Sequence, residues 1–475
     1  MIIIETPIII LASEIITMGF ESLLLPLSDF IILRAIKNSV FKIPTFTTNV
    51  RFNIMRIWYF LLSFVYVVSC GASNESEVTE LTQNNAEDSV VVEQPLYCNA
   101  DVTVGAERFD EYLDDLKGKR VALVGNQSSR IGETHLVDTL LAQGVNLVKV
   151  FSPEHGFRGD ADAGEKVKDG VDPVSGLPVI SLYGKNKKPK EAQLADVDVI
   201  LFDIQDVGAR FYTYISTMHY VLESAAENNK KIIILDRPNP NGHYVDGPVL
   251  KDGYTSFVGM HPGVPVVHGM TIGEYAKMLV GEGWLSGGVK PDMKVVEILG
   301  WDHTKFYELP VAPSPNLPNM KAVYWYPSLC FFEGTVVSIG RGTDLPFQCV
   351  GHPDYEVDVL EDLYSFTPAP NDGAKNPKLN GETCYGYDLS RPDVKEIREK
   401  RQLDLFYLVD FYKDLGSEKS FFLDTDFINL LAGSSSLKNA VLSGKSPDEI
   451  RDSWLDDLTT FKEIRKKYLL YTDFE

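Results

Sequence analysis

The sequence predicts an α/β fold in which helices cover both faces of a parallel sheet. From residue 105 onward, short apolar runs alternate with longer segments of helical spacing. The apolar runs have the length and composition of buried strands. Several of them end in dense polar blocks, as strands do where a sheet builds a site at its carboxyl edge. Because strands joined by helices pair in parallel, this alternation predicts a sheet between two helical layers.

The first strand is predicted at residues 120–125, which read RVALVG. The other strands are predicted at residues 145–151, 177–182, 197–202 and 231–235. Segments with helical spacing lie between or after them, at residues 133–143, 212–228 and 271–285. The last of these helices begins with Thr271 and Glu274, which form a TxxE capping box.

Four prolines in residues 308–320, ELPVAPSPNLPNM, mark the end of this first domain. Such a run forms either a structured crossover or a flexible linker. We therefore expect an α/β domain at residues 101–310 and a smaller α+β auxiliary domain at residues 311–475. The second domain is rich in aromatic residues, and its helices are predicted at residues 392–405 and 446–468.

The composition limits the classes of partner. The chain has 475 residues, 44% of them hydrophobic, which is enough for a large core and two or three domains. Its formal net charge is −22, so non-specific attraction to nucleic acid or to an anionic membrane face is disfavoured. A local basic pocket is still compatible with this charge. The sequence does not indicate the oligomeric state.

The first 100 residues read as an export signal rather than as a fold. Residues 55–70, MRIWYFLLSFVYVVSC, have the pattern of a bacterial lipoprotein signal peptide with Cys70 as the lipidation site. On this interpretation residues 1–54 are upstream sequence translated in error, and residues 71–100 form a flexible tether. The alternative is a transmembrane helix, but the apolar segment is shorter than the roughly 20 residues that a bilayer requires. We expect a lipid-anchored protein of the bacterial envelope, in the periplasm or at the outer membrane.

Besides Cys70, the chain has four cysteines, none of them in a CxxC pair. In an oxidising compartment Cys330 and Cys349 could form a disulfide, and buried thiols are the alternative. No His or Cys pair has ligand spacing with a supporting partner, so no metal site is predicted.

Glu154 is the strongest candidate for acid–base chemistry. It follows an apolar strand and Pro153, so its side chain is expected at a strand end, against apolar walls. Partial desolvation there favours the protonated form that a general acid needs. The alternative is a structural role, in which Glu154 caps the following loop or pairs with Arg158. His155 either supports the acid or fills the loop.

A second polar block, DIQDVGARFYTY, follows the strand at residues 197–202. Asp206 is expected to face a ligand or, alternatively, to cap the next helix. Arg210 is expected near the N-terminus of that helix, where it would bind a carboxylate through two hydrogen bonds. Tyr212 either presents a flat face to a ligand ring or packs within the helix layer. Glu223, later on the helix, is a second catalytic carboxylate, a paired structural acid or an exposed side chain.

A third polar block, LDRPNPNGHYVDG, follows the strand at residues 231–235 and adds Asp236 and Asn239 as binding candidates. Its NPNG run also predicts a turn, whatever its function. Beyond the prolines lie Glu333 in CFFEGT and Arg341 in SIGRGTD. These two side chains reach the same site only if the second domain closes over the edge of the sheet.

Seven blocks in order resemble the NamZ-type exo-β-N-acetylmuramidases over roughly residues 100–475. They are SPEHGFRGDADAGEKV, LYGKNKKP, DIQDVGARFYTYISTM, LDRPNPNGHYVDGPVL, SFVGMHPGVPVVHGMTIGEYA, APSPNLP and LCFFEGTVVSIGRGTDLPF. No single block is specific, but seven in order are. The resemblance implies that residues 101–310 form a Rossmann-like catalytic domain beside the C-terminal auxiliary domain.

The resemblance also implies an activity: release of N-acetylmuramic acid from the non-reducing end of peptidoglycan fragments, without a cofactor. Glycoside hydrolysis uses two carboxyl groups across the scissile bond. The Glu of the family's EHG motif matches Glu154, and Glu223 is expected as the second carboxylate, with Asp206 and Glu333 as the next choices. The lactyl carboxylate of muramic acid is expected to be bound by one of three arginines, Arg158, Arg210 or Arg341.

Two other functions compete with this one. A Rossmann-like sheet also suits a nucleotide-dependent enzyme, since the fold alone does not determine function. Against it, the turn after the first strand reads GNQSSRIGE rather than GxGxxG, and the chain has no GxxxxGK[ST] loop. The second alternative is a lipoprotein that binds cell-wall glycan without cleaving it, for which arginines and aromatic residues would be sufficient.

Overall fold

The computed structural model describes residues 99, 101–154, 156–158, 169–356, 364–416 and 421–475. The strands are β1 (Val121–Gly125), β2 (Arg130–Ile131), β3 (Thr134–His135), β4 (Leu147–Ser152), β5 (Gly170–Val171), β6 (Pro178–Ser181), β7 (Val199–Asp203), β8 (Lys231–Leu235), β9 (Asp246–Val249), β10 (Pro265–Val267), β11 (Met293–Val296), β12 (Cys349–His352), β13 (Tyr364–Phe366) and β14 (Cys384–Asp388). The α-helices are α1 (Phe109–Leu116), α2 (Leu136–Ala142), α3 (Glu191–Leu194), α4 (Tyr214–Glu227), α5 (Ile272–Gly281), α6 (Met320–Leu329), α7 (Val394–Glu399), α8 (Phe406–Leu415), α9 (Phe427–Ala432), α10 (Ser436–Leu442), α11 (Pro447–Asp452) and α12 (Leu455–Arg465). Short 3₁₀ turns lie at Gly105–Glu107, Ser286–Gly288, Cys330–Gly334 and Lys466–Tyr468.

The central sheet has seven strands in the order β11-β8-β7-β1-β4-β6-β5. All neighbouring strands run parallel except β5, which pairs antiparallel with β6. The chain adds β4 and β6 on one side of β1, then crosses over and adds β7, β8 and β11 on the other side. This is the doubly wound order of Rossmann folds, so the predicted fold class is confirmed.

Each face of the sheet carries its own hydrophobic core, because successive side chains of a strand point to opposite faces. In β1, Ala122 and Val124 enter the core that contains α4 and α5. Val121 and Leu123 enter the core that contains α1 and α2. The sheet therefore has helices on both faces, which explains why its strands are continuous apolar runs rather than alternating ones.

The predicted helices differ from the observed ones mainly at their ends. The capping box at the start of α5 is confirmed: the Glu274 carboxylate accepts from the Thr271 backbone N–H at 2.9 Å. This helix ends at Gly281 rather than at residue 285, because Gly283 turns the chain with φ 70°. The helix predicted at residues 446–468 is divided into α11 and α12, where buried Trp454 donates from Nε1 to Asp246 at 3.0 Å.

The C-terminal part contains a three-stranded antiparallel sheet, β12-β14-β13, and the helices α7 to α12. Its helices and tail are tied to the first part by long-range hydrogen bonds. Arg465 donates to the Gly269 carbonyl at 2.7 Å, and the Tyr471 hydroxyl donates to Asp236 at 2.6 Å. The chain from residue 99 on thus forms one compact unit.

The proline-rich segment at residues 308–320 is a structured crossover, not a loose linker. The Pro313 carbonyl accepts from the Tyr212 hydroxyl at 2.7 Å and from the Gln127 side-chain amide at 3.0 Å. The Asn319 side chain then caps α6 by accepting from the Ala322 N–H at 3.1 Å. These contacts hold the start of the second part against the carboxyl edge of the sheet.

Apart from Asn99, the segments predicted as upstream sequence, signal peptide with Cys70 and tether lie outside the described residues. Within the described part of the chain, none of the helices has the length and hydrophobicity needed to cross a bilayer. Cys330 and Cys349 are buried free thiols, as is Cys384, so the thiol alternative is the one observed rather than the disulfide.

Candidate active site

A cavity of about 1040 Å³ lies where loops after the carboxyl ends of the sheet meet the C-terminal part. The lining side chains from the sheet domain include Glu154, Tyr183, Tyr212, Thr213, Tyr214 and Phe257. Those from the C-terminal part include Tyr326, Cys330, Glu333, Arg341, Phe347 and Lys378. The cavity therefore combines aromatic walls with a small number of charged groups, as sites for small ligands do.

Glu154 lies two residues beyond the end of β4 and is half-buried in the cavity wall. The Thr213 hydroxyl, just before α4, donates to Glu154 Oε2 at 2.7 Å. Tyr183, which follows β6, is hydrogen-bonded to Glu154. Burial raises the pKa of the Tyr183 phenol, and the charge of Glu154 and this hydrogen bond raise that pKa further. Two sheet-domain hydroxyl groups thus hold the carboxyl group in place.

Glu333 and Arg341 form an ion pair in the wall that the C-terminal part contributes. Arg341 Nε donates to Glu333 Oε1 at 2.6 Å, and the two side chains are 23% and 24% exposed. Burial alone would raise the pKa of Glu333, but the charges of Arg341 and Lys378 outweigh it and hold that pKa below its usual value. Arg341 and Lys378 therefore favour the ionised form of Glu333.

Lys378 and Tyr326 connect this ion pair with its surroundings. Lys378 Nζ donates to the Phe332 carbonyl at 2.9 Å and to the Val337 carbonyl at 3.1 Å, on either side of Glu333 in the chain. Burial lowers the pKa of Lys378 to about 8, although Glu333 opposes the shift. Burial also raises the pKa of the Tyr326 phenol, on which Arg341 and Glu154 act in opposite directions. Tyr326 thus lies within the electrostatic reach of both walls.

At the reversal point of the sheet, where Rossmann folds hold a dinucleotide, protein side chains bond to one another and to the proline-rich segment. Asn126, directly after β1, donates from Nδ2 to the Tyr214 hydroxyl at 2.9 Å. Tyr212 lines the cavity, but only 6% of its surface is exposed, and its hydroxyl donates to the Pro313 carbonyl. The arrangement therefore gives the nucleotide alternative no support.

Two family models together match most of the described chain. The first, described as exo-β-N-acetylmuramidase NamZ, N-terminal, matches residues 121–321. The second, for the C-terminal part of NamZ, matches residues 324–471. The peptidoglycan β-N-acetylmuramidase NamZ of Bacillus subtilis is 38% identical over 382 residues, which cover 76% of this chain and 89% of that protein.

The chain belongs to the NamZ exo-β-N-acetylmuramidase family. This membership makes it a glycoside hydrolase. Two crystal structures of DUF1343 family proteins from Bacteroides fragilis have the same fold: one is 46% identical with a TM-score of 0.72, the other 31% identical with a TM-score of 0.65. Each alignment covers 78% of this chain and 99% of the other. The cavity lies between the N-terminal and the C-terminal NamZ regions, which the two family models match.

Glu223, predicted as the second carboxylate, is not in the cavity wall of this NamZ-family chain. It accepts from Lys188 Nζ at 2.9 Å and from the Ser286 N–H at 2.8 Å, and it lies 3.1 Å from His219. Burial alone would raise its pKa, but these hydrogen bonds lower it well below its usual range. Glu223 is a paired structural acid, one of the roles that its sequence context allowed.

Arg158 and Arg210 are also committed to protein partners. Arg158 forms a bidentate ion pair with Asp172, at 3.0 and 2.7 Å. Arg210 is 1% exposed and donates to the carbonyls of Val264 and Leu431 at 2.6 and 2.7 Å. It joins the two parts of the chain instead of presenting a clamp to a ligand. Neither arginine lines the cavity.

Asp206 is buried and lies outside the cavity wall. Its Oδ2 accepts from the Gly208 N–H at 2.7 Å, and His268 Nε2 lies 3.8 Å away. Burial raises the pKa of Asp206 to about 7. The carboxyl group thus supports the glycine turn before α4 rather than facing a ligand.

Asp236 and Asn239 likewise lie outside the cavity and hold the loop after β8. Asp236 accepts from the Thr271 hydroxyl at 2.7 Å and the Gly273 N–H at 2.8 Å, in addition to Tyr471. Burial raises the pKa of Asp236 to about 7. Asn239 donates to the Met270 carbonyl at 2.8 Å. The polar blocks after β7 and β8 therefore mainly form an internal hydrogen-bond network, whereas the sequence predicted that they build a site at the carboxyl edge of the sheet.

Of the predicted site residues, Glu154, Tyr212, Glu333 and Arg341 share one cavity, and His155 lies outside the described residues. Sequence reasoning missed Tyr183, Thr213, Tyr326 and Lys378. Tyr183 had a usable signal, because it follows a predicted strand at the same edge of the sheet. Lys378 had none, because it lies in a loop whose sequence carries no motif.

Proposed function

We propose that the protein is an exo-acting muramidase that removes N-acetylmuramic acid from the non-reducing end of peptidoglycan fragments. One observation carries the proposal: Glu154 from the sheet domain and Glu333 from the C-terminal part line the same cavity. Family membership supplies the reaction class, and loops from both parts bound a pocket that can take the end of a saccharide. The name of the Bacillus subtilis relative, which refers to peptidoglycan, supports the choice of substrate.

Glu154 acts as the general acid and base. Its carboxyl group is half-buried at a strand end and bonded to Thr213, so it has a defined position from which to protonate the leaving oxygen. Among the described lining residues, the only other carboxylate is that of Glu333. Its pairing with Arg341 keeps it ionised, which is the state needed to activate water or to stabilise positive charge on the sugar ring. We therefore move the role expected of Glu223 to Glu333.

Arg341 recognises the lactyl carboxylate of muramic acid. Its Nε is used by Glu333, whereas its terminal Nη atoms have no hydrogen bond to a described residue. A guanidinium group can bind two carboxylates at once through its separate edges. The lactyl group is the feature that separates a muramide from a glucosaminide, so Arg341 would provide the preference between them.

A chromogenic β-N-acetylmuramide and the matching glucosaminide test the activity. We expect turnover of the muramide at a rate that an excess of chelator does not change, and at least 10-fold lower kcat/KM for the glucosaminide, because it lacks a charge-assisted hydrogen bond. Turnover of natural saccharide separates an enzyme from a glycan-binding lipoprotein. Equal or better turnover of the glucosaminide, or loss of activity in chelator, would contradict the proposal.

Arg341→Gln provides the matched variant for this measurement. It should lower kcat/KM for the muramide more than for the glucosaminide, so that the ratio of the two kcat/KM values becomes smaller. An equal loss on both substrates would show that Arg341 acts only through Glu333.

We also propose that this reaction takes place in the bacterial envelope, with the protein attached to a membrane through a lipid on Cys70. Its support is the signal-peptide pattern of residues 55–70 and the polar composition of residues 71–100. In the native host, labelled fatty acid should attach to the wild-type protein, and Cys70→Ala should give unlabelled protein that is soluble or unprocessed. Cys98→Ala is the control and should keep the label. Absence of label from the wild-type protein would refute the anchor.

A further inference from the structure

A groove lined by lysines adjoins the cavity on the outer side of helix α4. Its volume is about 1040 Å³. Its lysines are Lys185, Lys187, Lys188, Lys190 and Lys230. The whole chain has 67 acidic and only 45 basic residues, so this concentration of positive charge runs against the charge of the protein. A local basic site in an acidic protein indicates an anionic ligand.

The groove is elongated along the helix. Tyr220 and Glu227 both line it, and at 1.5 Å per residue they are about 10 Å apart along the axis of α4. Lys230 lies just beyond the end of the helix and extends the groove further. A site of this length suits a chain-like ligand rather than a single small anion.

The groove borders the cavity, and one residue lines both. Lys187 lines both, and its Nζ lies 4.3 Å from the centre of the Phe257 ring. Phe257 lines the cavity, Tyr220 lines the groove, and their rings stack with centroids 6.3 Å apart at 17°. Lys187, Phe257 and Tyr220 thus form the border between the two sites, and a ligand that extends out of the cavity past them reaches the lysines of the groove.

Three of the lysines are available for a ligand. Lys188 is already neutralised by Glu223 and Glu227, at 2.9 and 2.7 Å. Lys185, Lys190 and Lys230, in contrast, form no ion pair with any acidic residue in the described part of the chain. Glu227 and Glu191 also line the groove, so the positive charge is reduced but not cancelled.

We propose that this groove binds carboxylate groups carried by the part of the substrate beyond the cleaved bond. The inference rests on the proposed function, because the cavity must take the terminal muramic residue for the rest of the saccharide to reach the groove. That remainder bears carboxylates on the next muramic residue, either on its lactyl group or on a peptide stem. The groove would therefore favour longer, charged fragments over the disaccharide.

The test is the variant Lys185→Gln/Lys190→Gln/Lys230→Gln, assayed on three substrates: the disaccharide MurNAc–GlcNAc, the tetrasaccharide with two such units, and the tetrasaccharide with a peptide stem on its inner muramic residue. We expect unchanged kinetics on the disaccharide and a KM about 10-fold higher on a tetrasaccharide, with kcat unchanged, from the loss of three exposed charge contacts. High salt should likewise raise the KM of the wild-type protein for the tetrasaccharide, because it screens the same charges. If KM rises with the plain tetrasaccharide, the group bound in the groove is the lactyl carboxylate. If KM rises only with the peptide-bearing tetrasaccharide, the group is a carboxylate of the stem.

Lys119→Gln/Lys290→Gln/Lys445→Gln removes the same charge elsewhere and should have no effect on any of the three substrates. The inference is overturned by an equal KM rise on the disaccharide, by no rise on either tetrasaccharide, or by the same rise in the control variant. If wild type does not hydrolyse the disaccharide, the proposed function fails instead. Equilibrium dialysis of the peptide-bearing tetrasaccharide, with wild type and the groove variant, then decides whether the groove binds.

Discussion

Glu154→Gln is expected to lower the release of N-acetylmuramic acid from the natural disaccharide by about 10²- to 10⁴-fold, the usual contribution of a general acid or base. This corresponds to a loss of roughly 3 to 5 kcal/mol of transition-state stabilisation. Glutamine keeps the size of the side chain and an oxygen that can accept from the Thr213 hydroxyl, but it has no proton to transfer. Chromatographic assay of the released sugar measures the loss.

An activated phenol as leaving group distinguishes acid catalysis from simple damage. Such a group leaves without protonation, so bond breaking in Glu154→Gln should be much less impaired on the chromogenic muramide. Glu133→Gln changes an exposed glutamate away from the cavity and should be wild-type-like on both substrates. If Glu154→Gln turns over the disaccharide normally and unfolds at the wild-type temperature, then Glu154 is structural and its assignment as the general acid is wrong.

The second large effect concerns the buried ion pair below the site. Arg237, after β8, donates to both oxygens of Asp203 at the end of β7, with Nη2 at 2.9 Å from Oδ2. The side chains are 3% and 0% exposed, and Asp203 keeps the pKa of Arg237 raised although burial opposes this. Arg237→Met should lower the free energy of unfolding by about 3 to 5 kcal/mol, because it leaves the Asp203 carboxylate buried without its partner. Urea unfolding measures the change.

The double variant Asp203→Asn/Arg237→Met serves as the internal control. Removing both charges should lower the free energy of unfolding by clearly less than the sum of the losses in Asp203→Asn and Arg237→Met, since neither charge is then left unpaired. Arg120→Met breaks the exposed pair with Asp198 and should have a much smaller effect. Additive losses in the double variant, or a loss in Arg237→Met no greater than in Arg120→Met, would refute a coupled buried pair.

The predicted strands and the observed ones differ by no more than about two residues at their ends. This agreement has a local cause: a strand buried on both faces is a short continuous apolar run, and such runs are visible in the sequence. The Thr271 capping box was predictable for the same reason, because both partners lie within one helical turn. Helix ends were less predictable where a distant contact decides them, as the Trp454 bond to Asp246 does between α11 and α12.

The roles of the polar side chains, unlike the strands, could not be predicted from local sequence. Sequence indicates that Asp206, Asp236 and Asn239 come after strands, but not whether a buried donor lies nearby. Tyr471 reaches Asp236 across 235 residues of chain, and Arg210 reaches the Leu431 carbonyl across 221 residues. Such partners satisfy polar groups that would otherwise be costly to bury, so these side chains stabilise the fold instead of lining the site.

The sequence alone determined three features: the parallel sheet with helices on both faces, the edge at which the site is built and the position of Glu154 at a strand end. Local hydrophobic patterns specify all three. Only the tertiary structure decided which charged groups share the cavity. Glu333 and Arg341 reach it because the C-terminal part closes over the sheet edge, and Glu223 is withdrawn from it by Lys188 and Ser286. Pairing of charged groups depends on three-dimensional distance and on burial, neither of which is encoded in the spacing of residues along the chain.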